Sequence, residues 1–266
     1  NFDMVKEEGA AEEYYSPDFD FRSLVAPEAL EVVSASFRRH MLGEEVPPYE
    51  YDLLTKDGRR LTAIHTTRLI TYAGKPAILG IITDVTERKQ REREMEAIAT
   101  VSAALRTAPT RIEMLPVILD QLLNLLKADG ALLAMRDPAT GGTTIELGRG
   151  PAGASFTGVR LPPGEGITGH VIATNQPYRN SEVRSDPSFA RPDLLPADTR
   201  AVACVPLIVQ GQTIGALCFL HARDIAADEI RLLTAIADIA ANAIHRATLY
   251  EQTEQRLQKL GALHEI

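Results

Sequence analysis

The chain has 266 residues, of which 45% are hydrophobic, and its 28 lysines and arginines are outnumbered by 36 aspartates and glutamates, for a formal net charge of −8. That length suits two domains rather than one, and the acidic balance excludes a nucleic-acid surface, which needs a basic face. The longest apolar stretch, residues 201–220, is broken by Pro206, Gln210, Gly211, Gln212 and Gly215 and cannot be a membrane span, and Lys6, Glu7 and Glu8 interrupt any signal-peptide run near the start.

Residues 1–20 are acidic and show no alternating apolar run. Ala26-Pro27-Glu28 then begins a helix with proline in its first turn, and Leu30, Val33, Phe37 and Met41 recur at helical spacing until Gly43, which predicts one buried face. His40, beside Arg38 and Arg39 at the end of that helix, is read as facing solvent or complementing the helix dipole. After Pro47-Pro48, Tyr49, Tyr51 and Leu53 alternate with polar residues, Lys56-Asp57-Gly58 supplies a hairpin turn, and a long strand covers residues 60–72. A turn at Ala73-Gly74-Lys75-Pro76 leads to an apolar strand over residues 77–83. That strand passes into the charged helix beginning Asp84-Val85-Thr86-Glu87-Arg88-Lys89 with no loop between them, so movement of the strand can be carried along the helix as a lever, where a flexible linker would absorb it.

Residues 87–93 are almost wholly charged, and Met95, Ile98, Val101 or Ser102, and Leu105 follow at spacings of three and four. A narrow apolar seam on a polar helix predicts a two-stranded coiled coil and a dimer. Thr110 and Glu113 form a capping box ahead of a helix whose broad apolar face carries Leu115, Ile118, Leu119, Leu122, Leu125 and Leu126, mildly bent at Pro116 and ended at Ala128-Asp129-Gly130. Strands are predicted over residues 131–135, 144–147, 155–161, 177–180, 201–209 and 213–222, with a short helix over residues 167–174. Asp228-Glu229 opens a last helix bearing Ile230, Leu233, Ile236, Ile239, Ala243, Ile244, Ala247 and Tyr250. Its spacing continues through Leu257, Leu260 and Leu263 or His264.

The exit motif Asp84 to Lys89, the Asp57-Gly58 turn and Ser23-Leu24-Val25-Ala26-Pro27-Glu28 together resemble the C-terminal two-thirds of a PAS domain. The two strands that open that family's sheet are not recognisable in residues 1–20, which implies a domain cut inside its fold and an incomplete ligand pocket. The stretch near Val32 and Val33, where haem-binding relatives carry their ligand histidine, has none, and the cysteine of flavin-adduct relatives has no counterpart. The second half resembles a GAF domain. That resemblance rests on Ala128-Asp129-Gly130-Ala131, Pro163-Gly164-Glu165-Gly166-Ile167-Thr168-Gly169, Ser185-Asp186-Pro187-Ser188-Phe189, Val205-Pro206-Leu207, Ile214-Gly215-Ala216-Leu217 and the Asp228-Glu229 helix. Gly164, Gly166 and Gly169, with Asp186 roughly 20 residues beyond, also match a dinucleotide-binding turn. Pro162-Pro163 before it, and a following helix stopped by Asn175 and Pro177, exclude that reading.

The expected architecture is therefore α+β: a partial PAS antiparallel sheet with helices (residues 1–86), a coiled-coil connector (87–106), a GAF antiparallel sheet flanked by helices (107–250) and the start of an output helix (251–266). The GAF resemblance implies a small-ligand pocket under the short helix and the Asp186-Pro187 loop, with Ile167, His170, Val171, Asp186, Phe189 and Cys204 as its residues. Met95, Ile98, Leu105, Ile236, Ile244, Leu257 and Leu260 are the expected dimer contacts. No cofactor or metal is expected. Bilin-binding relatives need a cysteine followed by histidine, whereas His221 follows Leu220, and the signature of cyclic-nucleotide-binding relatives is incomplete. Cys204 and Cys218, the only two cysteines, are read as inert buried thiols of a reducing, cytoplasmic setting. No enzymatic step is expected within these residues, since no ATP lid or phosphoacceptor helix is present. The resemblance implies the sensor region of a bacterial histidine kinase whose output domain lies beyond residue 266, with a diguanylate cyclase or transcriptional regulator as lesser options. Partners are then a second copy and a small ligand, with no nucleic acid and no membrane contact. The alternatives are a ligand-free dimerising spacer and a thiol-dependent methionine sulfoxide reductase using Cys204 and Cys218.

Overall fold

The computed structural model describes residues 21–55, 58–72 and 74–264, so the expectations for residues 1–20 and for the Lys56-Asp57 turn lie outside the described residues. The chain divides into two compact units, Asn1–Arg93 and Glu94–Ile266. Both mix helices with antiparallel sheet, as the sequence implies. No helix among the described residues is long and apolar enough to cross a membrane.

In the first unit, short 3-10 turns at Phe21–Leu24 and Pro27–Ala29 precede α1 (Leu30–Met41), followed by β1 (Tyr49–Leu54), β2 (Arg60–Tyr72) and β3 (Lys75–Asp84), paired antiparallel in the order β1-β2-β3. Val25, Ala29, Val33, Tyr51, Leu53 and Ala63 form its core. The buried stripe of α1 differs from the expected one. It runs through Val33, Ser36 and His40, while Phe37 and Met41 are 55% and 53% exposed. Both stripes have helical spacing, and the one chosen by the fold is rotated toward the smaller side chains. The exit motif has a local cause. Thr86 accepts the Thr62 N–H with its hydroxyl at 2.8 Å, its own N–H is capped by Asp84 Oδ1 at 2.8 Å, and Val85 N–H reaches Thr62 O at 2.9 Å. The two bonds to Thr62 tie the first turn of α2 (Thr86–Leu105) to β2, and the Asp84 cap ties it to the end of β3.

The second unit contains the end of α2, then α3 (Arg111–Leu126), β4 (Gly130–Arg136), β5 (Thr143–Arg149), β6 (Arg160–Leu161), α4 (Gly166–Thr174), β7 (Tyr178–Asn180), β8 (Ala201–Val209), β9 (Gln212–His221) and α5 (Ala227–His264). The predicted capping box is present, with Thr110 and Glu113 satisfying each other's backbone N–H groups. The six strands run in the order β6-β5-β4-β9-β8-β7, so the sheet is antiparallel throughout and separates two cores. One face packs α3, α5 and the end of α2 through Leu119, Leu122, Phe219, Leu233 and Ile236. The other face packs α4 and the long loops through Leu132, Phe156, Ile167, Val202 and Leu220. Asp129 latches the start of β4 to the end of β9, accepting Ala222 N–H at 2.7 Å and lying 2.7 Å from His221 Nδ1. At the start of α5, Glu229 accepts Ala226 N–H at 2.9 Å and pairs with Arg223.

Two expectations are corrected here. The strand predicted over residues 155–161 is a 3-10 turn, Ala154–Phe156, followed by the two-residue β6, because Gly158 at φ 83° breaks the extended run. Leu105, expected at a dimer seam, is 7% exposed and belongs to the helical core of its own unit, as do Ile236 and Ile244. Met95, Ile98 and Leu257 do remain exposed, at 70%, 38% and 63%, and the Leu260 side chain lies outside the described residues.

Candidate functional site

On the loop-covered face of the second unit, Pro162-Pro163-Gly164 turns the chain into α4, whose Ile167, Thr168 and Val171 point at the sheet. The segment after β7 is held down by Asp186, which accepts the Tyr178 hydroxyl at 2.7 Å, Asn180 Nδ2 at 2.8 Å and Ser188 N–H at 2.8 Å. This fixes Phe189 edge-on against Phe156, with ring centroids 5.9 Å apart. Between them lies a cavity of about 30 Å³ lined by Leu132, Phe156, Ile167, Thr168, Phe189 and Cys218, among others. That is room for about one water. The Thr168 hydroxyl is buried there without a hydrogen-bond partner.

Of the six residues expected at this pocket, Ile167 and Phe189 line it. Val171 is buried outside its lining, Asp186 serves the loop, and His170 is exposed with its ring against Tyr178 at 5.6 Å. Cys204 is fully buried and is joined to Cys218 in a disulfide, which corrects the reading of two free thiols. The reason is a register shift. A regular hairpin in the register of Val209 with Gln212 would set Cys204 opposite Leu217, but an irregularity between Leu207 and Ile208 moves the register by one and sets it opposite Cys218. Sequence spacing carries no signal of such a bulge.

The first unit holds a larger cavity, about 350 Å³, between α1 and the sheet. Val33, Phe37 and Ile82 give it apolar walls, and His40, Tyr49, His65 and Thr67 give it a polar edge. His40 is 3% exposed, with Nε2 2.5 Å from the Thr67 hydroxyl, so the solvent-facing expectation is wrong. The Tyr49 hydroxyl lies 3.0 Å from His65 Nδ1, and the His65 ring packs on Tyr49 and Tyr51 at 5.4 and 5.7 Å. Gly80 makes space for that ring, since a Cβ there would stand 2.5 Å from His65 Nε2. Burial, and then the neighbouring His40, push the His65 imidazole below its ordinary value. Burial, with Tyr49 beside it, pushes the Tyr51 phenol up to about 12. The incompleteness expected of this pocket rests on residues 1–20, which lie outside the described residues; its described part is a cavity open on one side, with titratable groups along its edge.

A helix-capped six-stranded antiparallel sheet with a loop-covered face defines a class of small sensory and binding domains. The chain belongs to the GAF family, whose domain model matches residues 110–244. The first unit lies outside that match. Among solved structures, the GAF domain of a phosphoenolpyruvate-protein phosphotransferase from Coxiella burnetii is similar at 22% identity and TM-score 0.55, covering 60% of this chain and 98% of that one. The GAF domain of the Acinetobacter phosphoenolpyruvate-protein phosphotransferase is similar at 14% identity and TM-score 0.52, covering 60% and 97%. Free methionine-R-sulfoxide reductase from Neisseria meningitidis, in complex with its substrate, is similar at 16% identity and TM-score 0.51, covering 59% and 91%. A comparison with curated proteins gives no match.

Proposed function

We propose that this chain is a sensory and dimerisation module of a signal-transduction protein, in which the first unit holds the small ligand and the GAF domain acts as a relay toward the helix that leaves it. The observation that carries this reading is the contrast in room: about 350 Å³ in the first unit against about 30 Å³ in the GAF domain. Ligand pockets begin at roughly 300 Å³. The relay role is supported by α2, whose first turn is bonded to β2, and by α5, which continues to His264. The sequence resemblance to PAS followed by GAF makes the sensor region of a cytoplasmic histidine kinase the leading context, with the exposed Met95, Ile98 and Leu257 as contacts to a second copy.

A second reading keeps the ligand in the GAF domain, and the unpartnered Thr168 hydroxyl favours it; α4 would then have to move to admit anything larger than water. The reductase reading has the Cys204–Cys218 bond and the cavity position of Cys218 in its favour. Against it, both sulfurs are buried, where a substrate sulfoxide has no approach. A metabolite library screened by ligand-observed NMR separates the two cavities. Val33→Trp, which fills the larger one, should abolish binding of the hits, and Ile167→Trp should leave it unchanged, with circular dichroism showing both variants folded. Loss of binding in Ile167→Trp alone would move the ligand to the GAF domain.

A further inference from the structure

Where α5 leaves the sheet of the second unit, a groove of about 810 Å³ opens between the first turn of α3, the β4–β5 turn, β6 and α5. It lies on a different part of the fold from both cavities described above, and three arginines, Arg111, Arg136 and Arg160, are among its lining residues. Arg136 and Arg160 are exposed and form no salt bridge among the described residues. Arg111 gives one guanidinium N–H to Glu146, but its Nε is buried without a partner. Thr143, 2% exposed, also lines the groove with an unpartnered hydroxyl.

The carboxylates nearby are already engaged. Asp137 accepts the Ala139 and Thr140 N–H groups and the Thr140 hydroxyl, and these bonds, with Arg160 near, hold its carboxyl below the usual range. Glu146 is taken by Arg111, and Glu251 accepts the Arg111 backbone N–H at 3.1 Å. Buried donors without partners are disfavoured in a finished fold. Three guanidiniums arriving from α3, β4 and β6 match the several oxygens of a tetrahedral anion better than the two of one carboxylate.

We propose that this groove binds a phosphate-bearing small molecule, with Arg136 and Arg160 as its charge partners and Arg111 and Thr143 as further donors. Ile244, His245 and Thr248 of α5 form the opposite wall. An occupant therefore bridges the end of the sheet to the exit helix, and its binding would bias the position from which that helix departs.

Isothermal titration of the whole chain with inorganic pyrophosphate at low salt tests this, with citrate as the carboxylate control. Binding is expected for pyrophosphate, weaker binding for citrate, and a loss of about tenfold or more in the Arg136→Ala, Arg160→Ala double variant. Both arginines are exposed, so that variant should keep its fold. Thr143→Val supplies a second readout. Removing an unpartnered buried hydroxyl should raise the melting temperature of the free protein while weakening pyrophosphate binding, a pair of opposite changes that a purely structural residue does not give. Absent binding, unchanged affinity in the double variant, or citrate binding as tightly as pyrophosphate would overturn the proposal.

Discussion

His65 shows how a single side chain links fold, cavity and pH. It is held between two tyrosines, it is buried, and its imidazole binds a proton less readily than in an unfolded chain. Stability from such a group is complete above its unfolded value of about 6.5 and is lost as pH falls through the lower folded value. The first unit should therefore melt at progressively lower temperature as pH drops from about 7 to about 5, and His65→Asn should flatten that dependence; a parallel decline in both proteins would remove His65 as its cause. At this scale the sequence was only partly legible. Ile167 and Phe189 were placed at the GAF cavity from motif alone. His40 was misread because two stripes of equal period exist on one helix and only packing against β2 selects between them. Cys204 was misread because its partner depends on a bulge.

Helices α2 and α5 carry the same lesson with a consequence for assembly. A seam read at spacings of three and four found positions that do repeat, but periodicity does not say whether the covering surface is a second copy or the helix's own domain. Val101, Leu105, Ile236 and Ile244 are covered from within the second unit, while Met95 and Ile98 on α2 are not. Charges at exposed seam positions of a coiled coil are costly to desolvate. Met95→Lys combined with Ile98→Lys should thus halve the mass seen by light scattering and leave the circular dichroism spectrum intact, whereas Leu105→Lys should unfold the second unit. An unchanged mass in the double variant would remove these positions as the proposed contacts to a second copy. Elements with local chemical signals, such as the Thr110 and Glu113 capping box and the β8 to β9 hairpin, were legible to within a residue or two. The segment over residues 155–161 was not, since one glycine at positive φ turned an apparent strand into a turn.

For the whole molecule, the α+β class and GAF membership of residues 110–244 both follow from patterns spread over many residues, which is why they survive local misreadings. Cavity size is different in kind. It is the small remainder after side chains from several elements have packed, and no single stretch of sequence encodes it. That remainder reverses the expected order of the two units, leaving the GAF cavity nearly filled and the first unit with the room. Hydrogen–deuterium exchange with a binder from the metabolite screen locates the site directly. Protection should fall on α1 and on β2 and β3 around Val33, His40, His65 and Gly80, with the segment from Phe156 to Phe189 unchanged; protection confined to that GAF segment would contradict the assignment of the ligand to the first unit.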